Sequence, residues 1–338
     1  MKNWIKSEIE PNEIVLSSRI RLARNLKDIP FPHKLDTLKA REVIENIETH
    51  LKEDKNNLST IKLWENNNTE NKLYLEKHLI SNKLLDNSEK AAFIVDEEET
   101  VSVMINEEDH LRIQAITSGF DLKDAYNRAT SIDDLIESKE RYAFNESLGY
   151  LTACPTNCGT GLRASVMIHL PALSMEKEIS RVLNSLSQVG ITIRGLYGEG
   201  SKVQGNLYQI SNQITLGVTE EEVISNLTAV LEQVKNSEFA TREKINKYYH
   251  YELKDKIFRS LGILKSAVIL SFGEALELLS NVRLGIELGL IKSISHSFLS
   301  EILIESSPSY ISSLLSENNE KAINLKRAEL IRNKLKSL

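Results

Sequence analysis

The sequence predicts an α+β fold, an antiparallel sheet backed by helices, followed by a small all-helical domain. Three observations lead there. Strand-like and helix-like stretches mix in irregular order up to about residue 245, with neighbouring strands close enough for hairpins. Beyond that point the strand signals fade and helical patterns run on to AINLKRAELIRNKL. Helix starts are marked by capping boxes at Thr219-Glu-Glu-Glu222 and Ser271-Phe-Gly-Glu274. The boundary falls between 240 and 252, dividing the chain into residues 1–245 and 246–338.

The elements follow in order. IVLSSRIRL (14–22) begins as an apolar strand and continues with polar and apolar residues alternating. Leu38, Val43, Ile44, Ile47 and Leu51 have helical spacing. NLSTIKLWENNNTE (57–70) is polar and reads as an exposed loop. AAFIV, the alternating Val101, Val103 and Ile105, and HLRIQAI read as strands, the last two as an antiparallel pair turning at the tetrad NEED. A helix is expected at 132–138, a strand in ASVMIHL, and a helix over about 174–189. Its stripe is Ile179, Val182, Leu183, Leu186 and Val189, with Gly190 at its C-terminal end. Strands in ITIRGLY and NLYQISNQITL flank RGLYGEGS, and a helix after Thr219 repeats Val223, Ile224, Leu227, Val230, Leu231 and Val234.

Composition narrows the function. The formal charge of -6 argues against direct nucleic-acid binding, which needs a basic face. No apolar run reaches the roughly 18 residues of a membrane span, and MKNWIKSEIEP lacks the apolar core of a secretory signal. Two cysteines make no disulfide framework, so a cytoplasmic protein with reduced thiols is expected.

Recurring arginines carry the chemistry. Arg19 and Arg21 share one face of a strand, and Arg112 shares a face with His110 and Gln114. Arg163 follows the Gly159-Thr160-Gly161 turn, and Arg194 precedes Gly195 at a strand end. Any one of these reads most simply as a solvated surface residue. Five beside glycine-rich turns suit a polyphosphate, because guanidinium forks bridge anionic oxygens and stay charged. Neither the P-loop pattern nor GxGxxG is present, so side chains would grip the nucleotide. Glu108, in NEED, and Glu199, in GEGS, add carboxylates at the lip. A guanidinium acceptor fits them, since a carboxylate can orient it and take the proton it must lose. Cys154 and Cys158 lack the further ligands of a zinc site, and their CxxxC spacing is one residue longer than a redox pair's.

SSRIR (17–21), NEEDHLR (106–112), CPTNCGTGLRAS (154–165) and RGLYGEGS (194–201) together resemble the signature segments of the phosphagen kinases, and among them the bacterial protein arginine kinases. The resemblance covers roughly residues 10–245, more weakly the remainder, and implies a phosphagen-kinase-like catalytic domain over 1–245. It implies ATP with Mg²⁺, and ATP-contacting arginines at Arg19, Arg21, Arg112, Arg163 and Arg194. The nucleotide-binding stretches fall on Ser17, Ser18, Arg19, Ile20 and Arg21; on Arg163, Ala164, Ser165, Val166 and Met167; and on Arg194, Gly195, Leu196, Tyr197, Gly198 and Glu199. His78, otherwise a surface helix histidine, matches a further nucleotide contact. The substrate-binding and catalytic carboxylates fall on Glu108 and Glu199, and the reactive, thiolate-prone cysteine on Cys154. Cys158 falls where relatives carry an aliphatic residue and reads as packing.

Two departures shape the expectation. Only 16 residues precede Ser17, where small-molecule phosphagen kinases carry a helical domain, which leaves the acceptor side open to an arginine in a protein. The Arg-Asp-x-x-Arg-Ala motif tied to phosphoarginine sensing is matched by Ile323-Asn-Leu-Lys-Arg327-Ala328, so only its second half is kept. The expected activity is phosphorylation of protein arginines, with Glu108 as base and residues 195–205 as a lid, in stress response and protein quality control. Expected partners are proteins with exposed arginines, an activator, a transcriptional repressor, a Clp-type unfoldase docking on 246–338, and a second copy in a homodimer. Kinases of free guanidino metabolites, and an adaptor without turnover, are the alternatives.

Overall fold

The computed structural model describes residues 4–7, 10, 13–52, 57–195, 204–316 and 319–336. Eight strands form one sheet: β1 (Val15–Arg24), β2 (Ser59–Lys62), β3 (Ala92–Val95), β4 (Val101–Ile105), β5 (Leu111–Ser118), β8 (Leu162–His169), β9 (Ile191–Gly195) and β10 (Leu207–Asn212). Their order is β2-β3-β4-β5-β1-β8-β10-β9, and every pairing is antiparallel. The short β6 (Phe144–Asn145) and β7 (Gly149–Tyr150) form a separate ribbon. The helices are α1 (Thr37–Leu51), α2 (Asn68–Glu76), α3 (Asn82–Asp86), α4 (Leu122–Glu137), α5 (Pro171–Met175), α6 (Ile179–Ser187), α7 (Glu220–Tyr248), α8 (His250–Ser266), α9 (Phe272–Glu287), α10 (His296–Glu305), α11 (Pro308–Ser313) and α12 (Glu320–Lys336).

The two faces of the sheet do different work. Ile20, Leu22, Ile113, Ala115, Ala164, Val166 and Ile210 point to one face and bury against α1, α4, α6 and α7. Each such Ile or Leu is worth about 1.5–3 kcal/mol of burial, so this face fixes the register of the sheet. On the opposite face Phe93 and Met104 pack under α2 and α3 through Leu79, Ile80 and Leu84. Leu16, Ile116, Met167 and Leu207 meet the C-terminal helices, with Trp4 and Ile5 in the same cluster. Between these two apolar patches lies a floor of arginines.

α7 is capped as expected, with Thr219 and Glu222 forming a complete capping box. It runs unbroken from Glu220 to Tyr248, roughly 40 Å, from the sheet to the helical region. A buried polar network ties the two together: His169 at the end of β8 bonds Glu287 on α9, and Arg242 on α7 bridges Glu287 and Glu238.

Several expectations change. Residues 57–70 are β2, a 3-10 turn burying Leu63, and the start of α2, whose Asn67–Glu70 capping box the polar composition hides. The helix expected at 132–138 begins at Leu122, capped by Asp121. The helix expected at 174–189 is two, α5 and α6, because Lys177 takes a left-handed φ of 58° between them. Leu38 and Val189 are exposed and lie off their expected stripes. The Leu183 side chain and residues 196–203, hence Leu196, Tyr197, Gly198, Glu199 and most of the expected lid, lie outside the described residues.

Candidate active site

Strand register assembles the arginines. Arg21 on β1 stands opposite Gln114 on β5 and Arg163 on β8, so the three share a face. Arg19 stands opposite Ser165, and Arg112 opposite Ala23, on that same face. Only alternate residues of the nucleotide stretches therefore present side chains here. Ser18, Ile20, Ala164 and Val166 turn to the helix-packed side, where Ser18 Oγ donates to Gly119 O and accepts from Asp121 N–H.

Their charges are poorly matched. Burial first, then repulsion from Arg112 and Arg163, presses the Arg19 guanidinium down to about 9. Burial and the charges of Arg19, Arg112 and Arg163 push Arg21 down as well, against a weaker pull from Glu107. Nε of Arg21 is buried without a hydrogen-bond partner among the described residues. Arg19 is held by neutral groups, Gln209 Oε1 at 2.9 Å and Ser165 Oγ at 3.4 Å. Arg112 Nη1 donates to both carboxylate oxygens of Glu107, at 2.5 and 2.8 Å. Burial would lower Arg112, but Glu107 outweighs it and raises the guanidinium.

The NEED turn divides its labour residue by residue. Asn106 takes φ 61° and donates to Ala40 O and Lys90 O, fixing the turn. Glu107 is buried on Arg112 and accepts from Ser81 Oγ; these contacts outweigh burial and hold its carboxyl below the usual range. Asp109 accepts from Asn25 Nδ2 and Ala153 N–H, both at 2.6 Å, and so pins the cysteine loop, while burial raises its carboxyl. Glu108 faces a cavity of about 380 Å³ and meets Lys83 Nζ at 2.6 Å. Arg21, Arg112, Arg163, Arg194 and Cys154 line the same cavity.

The cysteine loop reaches this cavity by close backbone contact. A Cβ at Gly159 (φ 104°) would lie 2.1 Å from Thr215 O, and one at Gly161 (φ 64°) 2.6 Å from Ala23 O, so only glycine fits. Arg24 is a structural arginine beneath the loop. It pairs with Asp133 at 2.7 Å, donates to Thr160 O, and stacks 3.6 Å from the Tyr150 ring centroid. Cys154 Sγ lies 3.0 Å from Thr156 Oγ1, and Cys158 Sγ lies 3.3 Å from Thr152 Oγ1.

Arg19, Arg21, Arg112, Arg163, Arg194, Glu108 and Cys154 thus converge on one concave face. His78 is no surface helix residue. It has a left-handed φ of 63° just after α2, and burial, then Arg19, hold its imidazole down to about 3 and therefore neutral. Sequence reasoning missed Glu107, Asp109, Lys83 and Gln209. Glu107 and Asp109 sit in the tetrad already singled out, but alternation has no meaning inside a turn. Lys83 and Gln209 carry no local signal.

The sequence profile of the ATP:guanido phosphotransferase C-terminal catalytic domain matches residues 39–241, more than half of the chain. Fold and profile together define the class, a phosphagen-kinase-like phosphotransferase. Lombricine kinase superposes with a TM-score of 0.60 at 26% identity, covering 72% of this chain and 71% of its own. The duplicated taurocyamine kinase from Schistosoma mansoni with bound transition-state-analogue components gives 0.61 at 25%, covering 73% of this chain and 37% of its own. The protein-arginine kinase McsB C-terminal domain profile matches residues 250–338. The protein-arginine kinases of Clostridium tetani and Clostridium acetobutylicum are 54% and 55% identical, over 100% and 99% of this chain and 99% and 100% of theirs. The chain belongs to the bacterial protein-arginine kinases of the ATP:guanido phosphotransferase family.

Proposed function

We propose that this protein transfers the γ-phosphoryl group of ATP to a guanidinium nitrogen of arginine side chains in proteins. One observation carries the reading: strand register sets Arg19, Arg21, Arg112 and Arg163 on one face, close enough to repel one another, and Arg21, Arg112 and Arg163 line the cavity that Glu108 faces. Like charges gathered this closely cost stability unless a polyanion joins them. The orphaned Arg21 Nε is the sort of donor a phosphate oxygen would satisfy.

In the reaction a guanidinium nitrogen attacks the γ-phosphorus in line, the bond to the β–γ bridging oxygen breaks, and ADP leaves. The acceptor's N–H proton passes to Glu108, which first orients the guanidinium plane together with Glu199. The arginines hold the charge that spreads over the equatorial oxygens. Cys154 sets the electrostatics beside the acceptor. Mg²⁺ would supply further neutralisation of the phosphates; among the described residues no group of three or more His, Cys, Asp or Glu could hold the ion.

We assign residues 1–245 to catalysis and 246–338 to docking of regulators and an unfoldase, in cytoplasmic stress response and protein quality control. Arg327 supports docking over phosphoarginine sensing, because it is buried and donates to Ser306 O at 2.7 Å, Leu270 O at 3.0 Å and Asn324 Oδ1. Among the described residues no helix is long and apolar enough to cross a membrane.

A phosphorus NMR time course with Mg-ATP tests the reading, using an arginine-rich protein and free arginine in parallel. An acid-labile N–P signal on the protein alone is expected. Signal on free arginine would make this a metabolite kinase, and silence in both, even with partner proteins added, would favour an adaptor.

A further inference from the structure

The same order recurs along the central strands. On β1, Ala23 and Arg21 line the cavity at Glu108, whereas Arg19 and Ser17 line a second, smaller space. Gly161, just before β8, and Arg163 on it belong to the first, and Ser165 and Met167 on β8 to the second. On β5 the pair is Arg112 and then Ile116. A γ-phosphorus beside Glu108 therefore leads the phosphate chain across the arginines, and the nucleobase to the far end, beside His78. This step rests on the phosphoryl-transfer reading above.

That end is already filled by an aromatic bicycle. Trp4 is 4% exposed, and its ring centroid lies 5.9 Å from that of His78, the planes at 49°. The space left between Trp4, His78, Ser17 and Met167 is about 10 Å³, room for one water at most. A base and the indole cannot share it. We propose that Trp4 is an internal plug of the nucleobase site. Its indole packs against His78 in the place of the base, and nucleotide binding requires the Trp4–Ser7 segment to swing out. Arg21, Arg112, Arg163 and Arg194 line the other cavity, away from Trp4, so the plug governs how often the site is open rather than how those arginines hold the phosphates. Apparent nucleotide affinity is then reduced by the fraction of molecules in which Trp4 is in place.

The chain has two tryptophans, and the other, Trp64, stacks under Arg41 at 4.4 Å on an unrelated surface. In a Trp64→Phe variant of the full chain, all tryptophan emission reports on Trp4. Titration with ADP, followed in parallel by calorimetry, is expected to shift that emission to the red and increase its quenching by acrylamide. Both changes should saturate with the heat of binding. Heat of binding with unchanged or blue-shifted emission would overturn the plug while leaving the nucleotide site intact. Absence of any binding heat would instead defeat the phosphoryl-transfer reading, and the plug with it. Trp4→Ala is expected to tighten ADP binding about tenfold, and weaker binding by the folded variant would show that Trp4 is a wall of the site.

Discussion

Two sets of buried or half-buried arginines stand about one sheet, and they are balanced differently. Where the sheet meets the C-terminal helices, Arg242 and Arg283 face Glu238 and Glu287, with Arg242 bonded to both carboxylates at 2.8 Å and Arg283 to Glu287 at 3.1 Å. His169 and Ser280 extend that network, and Glu238 also accepts from the backbone N–H groups of Ala172 and Leu173. On the open face, Arg19, Arg21, Arg112 and Arg163 stand on one side of the sheet, with Glu107 bonded to Arg112. Residue type is the same in both places. The difference lies in the surroundings: buried carboxylates between two layers in one place, an open cavity in the other. Arginines bonded to buried carboxylates hold two layers in register, and arginines gathered about a cavity suit an anionic ligand.

Mutations should separate the two sets. The largest effect belongs to the lip of the open face. Glu108→Gln should lower kcat by roughly 10²–10⁴ with the fold intact, as loss of a general base does, measured as steady-state phosphorylation of an arginine-rich protein. Next, Arg242→Ala should cost about 3–5 kcal/mol of stability, read from urea unfolding, because it takes the bonded cation from buried Glu238 and one of two bonded arginines from Glu287. Activity per folded molecule should survive that change. Arg21→Ala should do the opposite. It should cost on the order of 10²–10³ in kcat while leaving the urea midpoint unchanged or raised, since one repelling charge is gone.

Acid should sharpen the contrast. Burial holds His110 down to about 4, against an ordinary 6.5, and it sits neutral between Leu26 N–H and Pro30 O. Between those values the unfolded chain binds the extra proton, so stability falls as pH drops from about 6.5 to 4, by on the order of 3 kcal/mol for this group. Glu287 is held below its ordinary 4.5 by His169 and the arginines, which outweigh burial; its contribution is present above that value and is lost as pH falls further. Urea midpoints measured from pH 7 to 3 should fall in both stages, and Glu287→Gln should remove the later one. The smallest effect is local: Thr219→Ala should cost about 1 kcal/mol by removing the α7 cap, with kcat unchanged.

Much of the open face was legible in the sequence, and the reasons are physical. Arg19 and Arg21 two apart on an apolar-alternating strand fix a shared face, and the turn glycines place Arg163. The capping box at Thr219 located α7. Other parts were hidden by the nature of their signals. The polar run 57–70 looks like a loop because its strand is at a sheet edge and its helix cap, Asn67 with Glu70, has the composition of a turn. The break between α5 and α6 depends on one left-handed lysine, Lys177, which has no compositional mark. Which of three adjacent carboxylates stays partly exposed at the cavity depends on Arg112, Ser81, Asn25 and Ala153, which bury the other two. Trp4 is a lone aromatic, without periodicity to announce its place beside His78.

The central claim is that the open arginine floor trades stability for a polyphosphate. Calorimetric ATP affinity and the urea midpoint without ligand, both measured on wild type and Arg21→Ala, test it most directly. The account predicts affinity at least about tenfold weaker with a midpoint equal to or above wild type. A midpoint that falls while ATP affinity holds would contradict it, and would make Arg21 a structural residue like Arg242.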